Sequence, residues 1–70
     1  MEINRLRKRR MAAGLTQEQA AELLGVSQST VCQWETGRTN PRINMFPTIA
    51  QLYGCQVEDI WPVDNKANQE

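Results

Sequence analysis

The 70 residues predict an all-α fold, and three observations carry that prediction. Apolar residues recur at helical rather than alternating spacing; the glycines close helically periodic segments; and residues favoured at helix starts stand ahead of the apolar stripes. No period-2 stretch of useful length, internal repeat or low-complexity segment competes with a reading of five short helices.

In chain order, the first helix carries Ile3, Leu6 and Arg10 at i, i+3 and i+7 and stops at Gly14. The second runs from Thr16, with Gln17, Ala20, Ala21 and Leu24 on one stripe, a Thr16–Gln19 capping box at its start and Gly25 at its end. Ser27 is a favoured N-cap for a third helix that turns Val31 and Trp34 inward and ends at Gly37. A fourth, starting near Asn44, places Phe46, Ile49, Ala50 and Tyr53 on one face, with Pro47 tolerated because first-turn amides have no intrahelical partner. A fifth, Val57 to Trp61, brings Val57, Ile60 and Trp61 together, and Pro62 stops it. The expected domain is residues 1–61, and residues 62–70 are expected to form a short, acidic, frayed tail.

Composition narrows the function classes. A chain this short forms one lean core, and no apolar run approaches the roughly 18 residues of a membrane span. The opening MEINRLRKRR has cations but no apolar segment behind them, so it does not read as a secretory signal, and a cytoplasmic location is expected. Cys32 and Cys55 stand alone in a chain without histidine, which supports neither a disulfide framework nor a metal site; two reduced thiols and no cofactor are expected. No nucleophile with a base partner, no paired carboxylates in an apolar cleft and no phosphate-cradling glycine loop is visible, so the chain does not read as an enzyme. The formal net charge is zero, yet residues 1–42 hold seven Lys or Arg against four Asp or Glu, and residues 43–70 hold one against four. That polarity points the amino-terminal half towards a polyanion.

The most specific feature is the join LLGVSQ, where Gly25 permits a left-handed turn and only about three residues separate the second and third helices. Small Ala21 at the crossing and branched Val31 on the third helix meet the steric needs of a helix-turn-helix. The run LTQEQAAELLGVSQSTVCQWETGRTNPR, residues 15–42, followed by IAQLYGCQVEDIW, residues 49–61, resembles the Cro and CI-type helix-turn-helix family, also called the XRE family, which includes the small phage repressors. The resemblance covers roughly residues 3–61.

It implies a compact five-helix, lambda-repressor-like DNA-binding domain in a bacterial or phage-encoded cytoplasmic protein, with the third helix in the major groove. The function implied is that of a sequence-specific regulator of transcription, a repressor on double-stranded DNA. Gln28 then suits base readout, since its amide can pair bidentately with adenine N6 and N7. Ser29 and Gln33 share its outward face, Gln33 lying about 500° further round the helix, and Cys32 on the same edge is a candidate for a thymine methyl. Gln17 and the capping Ser27 are placed at the DNA backbone, as are Thr36, Arg38, Asn40 and Arg42, read as the loop after the reading helix. Trp34 is read as a packing residue despite its glutamine neighbours, because duplex DNA offers no base faces for stacking in the major groove.

Arg10 on the apolar stripe and Glu35 one turn beyond inward Val31 both point towards the core, where unpaired charges are costly, so an ion pair between helices one and three is expected. The family usually binds near-palindromic sites as a homodimer, which assigns Val57, Glu58 and Trp61 to a dimer contact. The alternative is an antitoxin or coactivator-like protein-interaction module on the same fold; with only nine residues after Trp61 to carry a partner-binding segment, the DNA-binding regulator is the preferred expectation.

Overall fold

The computed structural model describes residues 4–61, so the expectations for Ile3, Pro62 and the tail 62–70 lie outside the described residues. Five α-helices are formed among the described residues: α1 (Arg5–Ala12), α2 (Gln17–Leu24), α3 (Gln28–Thr36), α4 (Phe46–Tyr53) and α5 (Val57–Ile60). A 3-10 turn, Ile43–Met45, leads into α4. No strand occurs among the described residues.

Side chains set most helix starts. Asn4 Oδ1 accepts from the Leu6 and Arg7 amides at 2.7 and 3.3 Å, satisfying donors that have no partner inside α1. At α2, Thr16 Oγ1 accepts from the Gln19 amide at 3.0 Å and Gln19 Oε1 accepts from the Thr16 amide at 2.9 Å. Ser27 Oγ accepts from the Thr30 amide at 3.1 Å at the head of α3. Between α2 and α3, Gly25 has φ +75°, a left-handed conformation that costs a residue with a β-carbon roughly 1–2 kcal/mol. The chain then turns tightly enough for the Val26 amide to donate to the Ala21 carbonyl at 3.0 Å.

Two boundaries differ from the sequence expectation. Asn44 lies in the 3-10 turn rather than at the start of α4, because the Phe46 amide donates to the Ile43 carbonyl, three residues back, and Pro47 has no amide to continue the ladder. Trp61 is not the last residue of α5 but its cap, with φ −65° and ψ 133°, the extended backbone favoured by a residue that precedes proline.

The core is formed by Leu6 of α1, Ala20 and Ala21 of α2, Val31 and Trp34 of α3, Phe46, Ile49, Ala50 and Tyr53 of α4 and Ile60 of α5. Val31, Ile49 and Ile60 are its largest fully enclosed side chains, and burying each contributes about 1.5–3 kcal/mol. Ala20 and Ala21 are small where α2 crosses α3, and these two helices share the most extensive contact in the fold. Four-residue α5 is too short to persist alone. It is held by buried Ile60, by Asp59 accepting the Gln56 amide at 2.9 Å, and by an exposed Arg9–Asp59 ion pair at 3.4 Å. Arg5 and Lys8 flank that pair in a shallow groove, while Arg7 stands exposed.

Candidate nucleic-acid interface

Residues of α3 divide by direction. Val31, Trp34 and Glu35 occupy the buried arc, and Trp34 is only 5% exposed. Gln28, Ser29 and Cys32 are exposed and Gln33 is half-buried, all within about 140° of arc on the opposite side at 100° per residue. Cys32 is exposed on this outer arc, the edge on which the sequence expectation places it. Gln28 is the first residue of the helix, adjacent to the capping Ser27, whose hydroxyl also exchanges a hydrogen bond with Thr30 Oγ1 at 2.9 Å. The Ser27 oxygen thus helps to hold the helix start that presents Gln28.

The carboxyl end of α3 is closed by Gly37 in a left-handed conformation, and the Arg38 amide donates to the Gln33 carbonyl at 2.9 Å. Thr36 belongs to this last turn and not to the loop after it, which corrects the sequence expectation. Its hydroxyl donates to the Gln33 carbonyl at 3.3 Å, a local back-bond from side chain to the preceding turn. Arg38, Asn40 and Arg42 are all exposed on the following segment, which buried Pro41 anchors.

Beneath the outer arc, four groups from three parts of the chain meet. Arg10 Nε donates to Glu35 Oε2 at 2.7 Å and Arg10 Nη2 to Glu35 Oε1 at 3.1 Å, a two-pronged pair joining α1 to α3. Arg10 Nη1 donates to the Leu15 carbonyl at 2.7 Å. The hydrogen bonds it donates to Glu35 hold the Arg10 guanidinium above its ordinary pKa, against the opposing effect of burial, so it carries its charge throughout the accessible pH range. Gln17, half-buried at the first position of α2, donates from Nε2 to Glu35 Oε1 at 3.0 Å. The structure thus brings Gln17 into the Arg10–Glu35 pair, a contact not expected from the sequence.

Asn4 is a second residue whose role the sequence expectation does not include. Besides capping α1, its Nδ2 donates to the Trp34 carbonyl at 3.2 Å and ties the start of α1 to the end of α3. The residue type was the available signal, since asparagine directly before a helical segment is a favoured cap. At the other end of the molecule, Val57 packs partly against the core, Glu58 is exposed, and Trp61 lies against Phe46 with ring centroids 4.8 Å apart while keeping 39% exposure. Among the described residues no group of His, Cys, Asp and Glu is placed to hold a metal ion, and no helix is long and apolar enough to cross a membrane.

Comparison with known proteins gives the same architecture a family. The helix-turn-helix family profile matches residues 6–60. An uncharacterized HTH-type transcriptional regulator of Methanocaldococcus jannaschii is 38% identical over 58 residues, covering 83% of this chain and 88% of that protein. One of Archaeoglobus fulgidus is 32% identical over 62 residues, covering 89% of each. The HTH-type transcriptional activator BcrR of Enterococcus faecalis is 33% identical over 61 residues, 86% of this chain but 30% of that longer protein. No solved structure matches. With the α2–turn–α3 geometry and a profile that spans most of its length, the chain belongs to the XRE-type helix-turn-helix family of DNA-binding proteins.

Proposed function

We propose that the protein is a transcriptional regulator that binds specific double-stranded DNA, reading the major groove through α3 and repressing by occupying its operator. The observation that carries this reading is the outer arc of α3: Gln28, Ser29, Cys32 and Gln33 share one side of a helix whose other side is fixed in the core. Gln28 is the principal base reader, with Ser29 and Gln33 beside it and Cys32 offering a small apolar contact. Gln17, Ser27, Thr36, Arg38, Asn40 and Arg42 contact the DNA backbone. Family membership and relatives named as transcriptional regulators support regulation as the outcome. The repressor role rests on the resemblance to small phage repressors, and a reporter carrying the bound site across its promoter tests it by whether output falls or rises.

A homodimer on a near-palindromic operator completes the proposal, with Val57, Glu58 and Trp61 at the contact; the apolar surface that Trp61 leaves exposed supports it. The test is duplex binding across a salt series. Arg38 and Arg42 from two protomers would neutralise about four phosphates, so log affinity should fall against log salt with a slope of about −3.6. A flat salt response, or a stoichiometric protein partner with no retention on duplex DNA, would replace this reading with the interaction-module alternative.

A further inference from the structure

Glu35 accepts one more hydrogen bond than its partner Arg10 supplies. Its side chain is 3% exposed, and both oxygens are already taken by the two Arg10 nitrogens when Oε1 accepts a third hydrogen bond, from Gln17 Nε2. We infer that Glu35 is a positioning residue for the backbone clamp: held by Arg10, its carboxylate fixes the Gln17 side-chain amide so that one amide hydrogen is spent on Glu35 and the other is presented to a DNA phosphate. The inference rests on the proposed backbone role of Gln17 and extends it inward to two residues that do not touch DNA.

Three pieces of physics support it. An amide nitrogen carries two hydrogens, so bonding Glu35 leaves Gln17 one donor for an outside acceptor. A glutamine left free at a helix start would lose its rotamer freedom on meeting a phosphate, whereas one already ordered in the free protein does not, and such preorganisation appears as affinity. A lone carboxylate near the clamp would repel a phosphate; the two-pronged Arg10 contact compensates that charge while leaving Oε1 able to accept from Gln17. The Leu15 carbonyl, bonded to Arg10 at 2.7 Å, fixes the guanidinium from the chain segment that leads directly into α2.

The test is a cycle of variants: Gln17→Ala, the paired replacement Arg10→Met with Glu35→Leu, and all three together. The paired replacement exchanges the buried ions for apolar side chains of similar length, a change that often leaves stability intact. In the unsubstituted protein Gln17→Ala should weaken duplex binding roughly tenfold or more, the scale of a hydrogen bond to a charged group. In the apolar-pair background the same substitution should cost less than about threefold, because the amide is no longer preset. Equal costs in both backgrounds would overturn the inference, as would no cost in either; selective duplex binding would then persist and the reading of α3 would stand. Failure of the unsubstituted protein to bind any duplex would instead overturn the proposed function. A DNA-free measurement needs no variant to fold: side-chain amide NMR should show the Gln17 NH2 pair ordered and shifted from free glutamine in the unsubstituted protein. A Gln17 pair as mobile as those of exposed glutamines contradicts the inference outright.

Discussion

Glu35→Ala removes the carboxylate that receives two nitrogens of Arg10 and leaves a guanidinium that is 9% exposed in the folded pair. Arg10 would keep only the Leu15 carbonyl, so an almost uncompensated cation remains in a nearly dry site. Breaking a buried pair from one side costs about 3–5 kcal/mol. A domain of this size has about 4–10 kcal/mol of total stability, so the variant should lose about 30% of it at the least. At about 4–8 °C per kcal/mol for small domains, the melting temperature should fall by at least about 12 °C. Circular dichroism melts and urea titrations of both proteins read the change. The paired Arg10→Met, Glu35→Leu replacement should recover most of the loss, since the penalty arises from the orphaned charge and not from the missing attraction. A loss below about 1 kcal/mol in Glu35→Ala would refute the reasoning, because it would mean that water reaches Arg10 freely.

The exposed pair should behave differently: Arg9→Ala, which breaks the 3.4 Å contact with Asp59 but leaves Asp59 capping α5, should change stability by no more than about 0.5 kcal/mol in the same melts. A larger loss would mean that α5 depends on Arg9. Burial, reinforced by the charge of Glu35 and opposed by Arg10, pushes the Tyr53 phenol up to about 12. The folded state therefore keeps this proton beyond the unfolded value near 10, so stability is held below about pH 10 and falls by about 2–3 kcal/mol as pH rises to about 12. Tyr53 is the only tyrosine, so tyrosinate absorbance followed beside helical ellipticity checks this directly, and a midpoint near 10 in a still-folded protein would contradict it.

The parts of the fold legible in the sequence were those set by short-range chemistry. Thr16 and Ser27 are cap residues acting within three positions, and Gly25 takes a conformation few other residues tolerate, so helix starts and the central turn could be read locally. The entry to α4 is not legible in the sequence because Pro47 acts through the hydrogen bond it cannot make, and the compensating 3-10 turn depends on how Ile43 meets the following helix. Thr36 reads as loop in the sequence since its back-bond to Gln33 is invisible to periodicity.

In the candidate interface, the outward and inward arcs of α3 follow from 100° per residue. The Gln17–Glu35 contact does not, because 18 residues and a turn separate its partners. Asn4 reaching the Trp34 carbonyl spans 30 positions and likewise needs the packed structure, although its capping role was readable from residue type.

The central claim is that α3 reads sequence through Gln28. Selection of bound duplexes from a random pool, performed with the unsubstituted protein and with Gln28→Ala, tests it most directly. The account predicts a near-palindromic motif for the unsubstituted protein and, for the variant, lost preference at one position in each half-site, worth about 1–3 kcal/mol of discrimination, with backbone-driven affinity retained. An identical motif from both proteins, or no motif from either, would contradict it.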